Sequence, residues 1–193
     1  MGMEKEVRKL EMDNLRAKKT DDGVNLSGYI TKFDDRAEIF GFYETINKKA
    51  FDNTLKEDRN ILALFDHDTS KILGSTRSGS LKLSTDKTGL KFDLKPNTNL
   101  SYTQDVVELV RSGDLAGCSF GFTVNDDEWT TKNGKDYREI LDVSLFEVTL
   151  TGFPAYESSE VSCRSHEKYR EEVKRFNKEK EKLKLQLSLL DMG

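Results

Sequence analysis

An Asn-Gly pair in the second half of the chain constrains the fold more than any other feature. Asn133 and Gly134 lie inside NDDEWTTKNGKDYREI, between the segments AGCSFGFTV at 116–124 and LDVSLFEVTLTGFPAY at 141–156. Asn-Gly between two strand-like segments is the strongest short-range indication of a two-residue β-hairpin turn. The sequence therefore predicts a long hairpin, whose second strand is ended by Pro154.

The preceding residues add more strands and a few helices. Alternating VNLSGYITKF at 24–33, apolar NILALF followed by DHD at 60–68, and a hairpin within 81–95 are typical of strands. Ser101 and Gln104 form a capping-box pattern that predicts the start of a helix, and a second short helix is predicted after Asn47. No βαβα rhythm of a parallel sheet is present, so we predict an α+β chain that is mainly β.

The two ends differ from the middle in charge. Residues 1–22 are predicted to be a charged, loosely attached N-terminal arm, residues 23–157 the main domain, and residues 158–193 a connector with an amphipathic helix. The near-heptad positions of that helix are Val173, Phe176, Lys180, Leu183, Leu187 and Leu190. The pattern spans only about three heptads and includes a Lys, which disfavours an autonomous coiled coil. We expect instead a helix that docks on a partner or a partly disordered tail.

Composition excludes several function classes for the 193 residues. The net charge is −4, which does not suit a nucleic-acid binder. We expect no membrane partner and no secretion, because no apolar run reaches the length of a membrane-spanning helix and the first residues lack an apolar signal segment. Two cysteines, Cys118 and Cys163, give neither a disulfide framework nor a metal-ligand spacing. We predict no cofactor and no metal.

The string GCSFG contains a Gly-x-Ser-x-Gly match centred on Ser119. In α/β-hydrolases this pattern forms a turn between strand and helix, and the catalytic His follows the Ser in the chain. Only His166 follows Ser119, and it lies in the charged C-terminal segment. Because the residues after Ser119 also alternate like a strand, the sequence disfavours a hydrolase elbow.

The second histidine, His67, precedes Ser119 and ends an apolar strand in FDHD. A serine nucleophile needs a base, and the base needs an acceptor that fixes its tautomer. Glu147 and Asp142 are the acidic candidates in the long last strand, and Glu147 is favoured because a carboxylate among apolar residues is costly to bury unpaired. The alternative is a solvated His67, a structural Ser119 and an outward-facing Glu147.

The sequence also resembles a known family in several ordered segments: GYITKFDD, NKKAFDNTL, LFDHDTSKILGS, TGLKFDLK, VVELVRSGDLAGCSFGF and LFEVTLTGFPAY. Over about residues 24–160 the chain resembles the prohead serine proteases of tailed bacteriophages, which are distantly similar to herpesvirus assembly proteases. The resemblance implies a closed or partly closed antiparallel β-barrel flanked by a few helices. It also implies that Ser119 is the nucleophile, His67 the general base and Glu147 the residue that orients His67. Cys118 would face away from the site, since neighbouring strand residues point to opposite faces.

The same resemblance implies a function. It predicts a serine endopeptidase of capsid maturation that cleaves scaffold or the scaffold segments of the major capsid protein, and itself, inside the prohead in the host cytoplasm. Self-association is left open. Two alternatives are a non-catalytic capsid assembly or scaffolding factor, and a cytoplasmic esterase.

Overall fold

The computed structural model describes residues 5–11, 15–20, 23–33, 35–39, 41–152 and 160–190. It forms two compact units, Met1–Ser158 and Ser159–Gly193. In chain order, the elements of the first unit are β1 (Glu6–Glu11), β2 (Arg16–Thr20), β3 (Gly23–Lys32), β4 (Ala37–Ile39), β5 (Phe42–Ile46), α1 (Asp52–Lys56), β6 (Leu62–Phe65), β7 (Asp68–Ser75), β8 (Leu81–Thr85), β9 (Gly89–Leu94), α2 (Ser101–Ser112), β10 (Gly117–Lys132) and β11 (Lys135–Thr151). The second unit contains α3 (Glu160–Leu190).

Two sheets organise the first unit. The larger has seven strands in the order β1-β10-β11-β5-β4, with β6 added beside β11 and β7 beside β6. The smaller has four strands in the order β2-β3-β9-β8. β10 and β11 form the long hairpin that the Asn-Gly pair predicts, and positive φ values of 53° at Asn133 and 73° at Gly134 suit its two-residue turn.

Within the described residues, which form eleven strands and three helices, the prediction of a mainly β fold is confirmed, but the prediction of an antiparallel barrel is wrong. Among the described residues neither sheet closes, since the larger ends at β1 and β4 and the smaller at β2 and β8. β11 is long enough to pair with β5 along its first part and with β6 along its last part, and both pairings are parallel. Alternation in a sequence predicts a strand but does not reveal which strand pairs with which edge.

Helix α2 begins and ends close to its predicted limits, with Gly113 in the left-handed conformation at its C-terminus. The predicted capping box is wrong, because Leu100 is the N-cap and makes no side-chain cap hydrogen bond. Ser101 is already the first helical residue, and the Gln104 amide donates instead to the Thr98 carbonyl at 2.7 Å.

One continuous core contains apolar side chains from both sheets. Within it Phe120 stacks on Phe122 at 4.9 Å and lies edge-on to Phe51 at 6.1 Å. Strand alternation then places Ser119 and Gly121 on the other face of β10. The core-facing phenylalanines therefore determine the direction of the preceding Ser119 side chain.

The sequence analysis did not predict β1 and β2, which lie within the charged N-terminal residues. β1 pairs antiparallel with β10, and β2 pairs antiparallel with β3. The C-terminal helix is confirmed as α3, on which Phe176 and Leu183 are 64% and 62% exposed. No helix in the described part of the chain is long and apolar enough to cross a membrane.

Candidate active site

His67, Ser119 and Glu147 meet on the outer face of the larger sheet. His67 Nε2 lies 2.9 Å from Ser119 Oγ, and His67 Nδ1 lies 2.8 Å from Glu147 Oε1. Ser119 is on β10, Glu147 is on the neighbouring β11, and His67 lies in the turn between β6 and β7. The two strands of one hairpin and a turn that is distant from them in the chain thus supply one continuous chain of hydrogen bonds.

A tight turn orients the His67 side chain toward Ser119 and Glu147. Asp66 and His67 have φ values of 51° and 58°, so both adopt the left-handed conformation between the paired residues Phe65 and Asp68. Asp and His tolerate this conformation better than most residues do. The turn is tied to β11, because Asp66 N–H donates to the Leu150 carbonyl at 2.9 Å and the Thr151 hydroxyl donates to the Asp66 carboxylate at 2.8 Å.

A β-bulge at Phe146 turns Glu147 toward the site. Phe122 pairs with Leu145, whereas Gly121 pairs with Glu147, so Phe146 is the extra residue in β11. Without the bulge Glu147 would share a face with the buried Leu145, because a shift of one residue moves a side chain to the opposite face. With the bulge it lies on the face of Ser119 and Gly121.

Gly121 leaves the space that the Glu147 carboxylate occupies. A Cβ atom at this position would lie 2.7 Å from Glu147 Oε1 and 2.3 Å from Lys5 Cε, both too close for real contacts. The second glycine of the Gly-x-Ser-x-Gly string therefore has a structural role in this strand. That role differs from the one the pattern has in a hydrolase elbow.

Glu147 is an ionised acceptor in this arrangement. Burial raises the pKa of its carboxyl, but hydrogen bonds from His67 and Lys5 outweigh burial and hold the pKa below its usual value. Lys5 Nζ lies 2.7 Å from the same Oε1 atom. An ionised Glu147 accepts a hydrogen bond from the Nδ1–H group of His67, which leaves Nε2 as the acceptor that faces Ser119.

Ser119 is completely buried, and strand β1 lies beside it. Its hydroxyl is also 2.9 Å from the backbone carbonyl oxygen of Arg8, to which it can donate. The neighbouring Cys118 side chain is part of the core on the opposite face, as predicted, and burial strongly raises the pKa of its thiol. A thiol that stays protonated in the core is a poor nucleophile.

Comparison with known proteins decides the family. The family model described as caudovirus prohead serine protease matches residues 11–172. The chain belongs to this family of prohead serine proteases. It is a serine peptidase. No curated protein and no solved structure matches it.

The other predicted candidates of this prohead protease lie elsewhere. Asp142 is on β11, where its carboxylate accepts hydrogen bonds from the amides of Asn53 at 3.0 Å and Asn125 at 2.9 Å. His166 lies in α3, in the second unit. Within the described ranges, no three His, Cys, Asp or Glu side chains form a group that could hold a metal ion.

Sequence reasoning missed the two residues of the N-terminal region that contact the site. Lys5 bonds to Glu147, and the Arg8 carbonyl accepts from Ser119. Lys5 stands in a charged run without periodicity, and a backbone carbonyl has no sequence signature at all. The charged residues of such a run are expected to face solvent. Only the pairing of β1 with β10 reveals that Lys5 and Arg8 lie beside the site.

Proposed function

We propose that this protein is a capsid-maturation endopeptidase in which Ser119 is the nucleophile, His67 the general base and Glu147 the residue that orients His67. The observation that supports it is the chain of hydrogen bonds from Glu147 through His67 to Ser119, with distances of 2.8 and 2.9 Å. These distances lie within the range that proton transfer between a nucleophile and its base requires.

In the proposed acylation step, Ser119 Oγ attacks a peptide carbonyl carbon and its proton passes to His67 Nε2. Glu147 stabilises the imidazolium that forms, because its carboxylate stays ionised and accepts a hydrogen bond from Nδ1–H throughout. His67 then donates the proton to the leaving amine, and an acyl-enzyme on Ser119 remains. Water resolves this ester with His67 again as the base.

The proposed substrates are capsid-related proteins. Family membership supports scaffold segments of the major capsid protein, and the protease itself, as substrates inside the procapsid in the host cell. Confinement with its substrates in one shell would raise the local concentration of cleavage sites. Ordinary affinity for each site would then suffice.

Coexpression of the full chain with its capsid-protein precursor tests this proposal, with intact-mass measurement of both proteins. Wild type should yield a truncated capsid protein, and Ser119→Ala should yield only the full-length precursor, because no other residue supplies the nucleophile. Ser112→Ala, on the exposed end of α2, is the matched control and should cleave normally. Undiminished cleavage by Ser119→Ala would contradict the proposed nucleophile.

A further inference from the structure

The six residues of β1 lie along the edge of the strand that carries Ser119. The pairing is antiparallel and runs from Glu6 opposite Phe122 to Glu11 opposite Gly117, which puts Lys9 opposite Ser119. An extended segment added to a sheet edge is a common way for proteins to bind peptides. β1 therefore has the geometry of a peptide bound beside the nucleophile.

This segment and the preceding Lys5 contact two of the three site residues. The Ser119 hydroxyl lies 2.9 Å from the Arg8 carbonyl oxygen and 2.9 Å from His67 Nε2. A hydroxyl has one proton, so donation to Arg8 removes the proton that His67 would accept. Lys5 meanwhile shares Glu147 Oε1 with His67. With β1 in place, the Arg8 carbonyl group lies at Ser119. The contact is made by its oxygen atom and not by the carbon that a nucleophile attacks, and β1 covers the serine.

A buried ionic cluster holds β1 on this edge. Arg8 Nε lies 2.5 Å from Glu44 Oε1, and Arg8 Nη2 lies 2.8 Å from Glu44 Oε2 and 2.5 Å from Glu6 Oε2. Arg138 completes the cluster, at 3.1 Å from Glu44 and 3.2 Å from Glu6. All four side chains are at most 7% exposed. Ion pairs removed from water in this way are strong only where geometry and charge match.

The body of the protein supplies one half of this cluster and β1 the other. Glu44 on β5 and Arg138 on β11 present a negative and a positive group side by side, and Asp127 fixes Arg138 through a bond of 2.6 Å to its Nε. Burial raises the pKa of the Glu6 carboxyl, but the charges and hydrogen bonds of Arg8 and Arg138 lower it by more. The pKa of Glu6 is therefore below its usual value. Glu6 is therefore held as a carboxylate for Arg138, as Arg8 is held as a cation for Glu44.

The spacing of the two charges gives the site its selectivity. Glu6 and Arg8 are two residues apart, so both side chains point to the same face of β1. On that face the Arg8 guanidinium also lies over the Phe122 ring, at 5.4 Å from its centroid. A peptide with the charges exchanged would put Glu beside Glu44 and Arg beside Arg138. Such like-charge contacts in a buried site oppose binding.

We propose that the β10 edge, together with Glu44 and Arg138, is a recognition site for extended peptide segments that carry Glu-x-Arg, and that β1 is its resident occupant. This inference rests on the proposed function, since the segments recognised would be those presented to Ser119. The family match begins at residue 11, so β1 lies almost entirely outside the matched region. The resident occupant thus comes from the part of the chain that the family model does not match.

Reaction of the full chain with a fluorophosphonate tests the proposal, because Ser119 Oγ displaces fluoride from phosphorus while His67 takes the serine proton. The double variant Glu6→Gln/Arg8→Gln removes the two charges that β1 contributes to the ionic cluster and leaves Glu44 and Arg138 to pair with each other. Labelling of Ser119, followed by intact mass and peptide mapping, should be faster than in wild type by about tenfold. The control is Arg36→Gln/Glu38→Gln, an exposed pair with the same spacing, whose rate should equal that of wild type.

Competition by separate peptides tests whether the site distinguishes the order of the two charges. The peptide KEVRKLE, which corresponds to residues 5–11, should slow labelling of the Glu6→Gln/Arg8→Gln chain. The peptide KRVEKLE has the same composition with the two charges exchanged, and it should require a concentration higher by about tenfold for the same effect. Equal inhibition by the two peptides would overturn the charge recognition.

A cross-strand disulfide gives an independent measurement if the double variant does not fold. Leu10 is the register partner of Cys118, so Leu10→Cys in a Cys163→Ser background can join β1 to β10. Oxidation should slow the labelling of Ser119 and reduction should restore the wild-type rate, whereas identical rates in both states would contradict the proposal.

The two proposals fail differently. Equally fast labelling of Ser119 in wild type and in the β1 variants would overturn β1 as an occupant and leave the proposed nucleophile intact. Labelling that is the same in Ser119→Ala and in wild type would instead contradict the proposed function.

Discussion

Glu147 serves two partners with a single oxygen atom. Its Oε1 lies 2.8 Å from His67 Nδ1 and 2.7 Å from Lys5 Nζ, while the side chain is only 6% exposed. A carboxylate so buried is stable only with such partners. If β1 leaves the edge of β10, Lys5 leaves with it and His67 becomes the remaining partner of that oxygen. The orientation of His67 and the position of β1 are therefore coupled through one atom.

We predict that Glu147→Gln lowers kcat by about a hundredfold to ten-thousandfold, because an amide stabilises neither the required tautomer nor the imidazolium. The assay is cleavage of the capsid-protein precursor by the full chain, with quantification by mass. Asp142→Asn on the same strand is the matched control and should retain the wild-type kcat. Equal loss in both variants, or a loss only in Asp142→Asn, would assign the orienting role to another residue.

The identities of the candidate site residues could be predicted from the sequence, but their arrangement could not. The chain has only two histidines that could serve as the base, and a glutamate in an apolar strand indicated a buried partner for that base. The bulge at Phe146, which decides the face of Glu147, has no signature in LFEVTL. The β1 contacts depend on which segment covers the free edge of β10, and that depends on tertiary packing and not on local pattern.

At the level of strands and helices, the sequence determines local hairpins but not the pairing of strands that are distant in the chain. The β10–β11 and β8–β9 hairpins are local and were predicted from their turns and alternation. The parallel pairings of β11 with β5 and β6 join residues about a hundred positions apart in the chain, and no local signal specifies them. The predicted barrel failed for this reason, since closure is a property of long-range pairings.

Helix α3 presents apolar side chains that the described residues of its own unit leave uncovered. Phe176 and Leu183, at seven-residue spacing, are 64% and 62% exposed. Seven-residue spacing puts both on one face of a helix. We expect this face to dock on another protein.

We therefore predict that Phe176→Asp/Leu183→Asp leaves precursor cleavage by the purified chain unchanged but lowers incorporation of the protease into assembling shells by about tenfold. The measurement is the ratio of protease to capsid protein in purified shells. Lys178→Gln/Lys182→Gln lowers the net charge by the same amount at exposed positions outside the near-heptad set and is the control for charge alone. Normal incorporation of the apolar-to-Asp variant would contradict a docking role for this face.

Acidic side chains make the stability of the folded catalytic unit depend on pH. Glu6 and Glu147 both have pKa values below 4.5 in the folded chain, because their cationic partners and hydrogen bonds outweigh the effect of burial. In the unfolded chain these carboxyls regain ordinary pKa values and bind protons more readily. The stabilisation they provide is thus fully present above the unfolded pKa and is lost as the pH falls through the folded values.

The free energy of unfolding of the full chain should therefore be nearly constant from about pH 7 to about pH 5 and then fall steeply below about pH 4.5. Glu6→Gln should lower stability at neutral pH, because Arg8 and Arg138 lose a buried anionic partner, and it should also flatten the acid decline, because one of the protonating groups is gone. The exposed Glu38→Gln should follow the wild-type curve at every pH. Urea unfolding followed by tryptophan fluorescence reports the change, since Trp129 packs on Phe42 and lies beside Arg138 in this cluster. A Glu6→Gln curve parallel to that of wild type through the acid range would show that Glu6 is not held as a buried carboxylate, and with it the ionic attachment of β1 would fail.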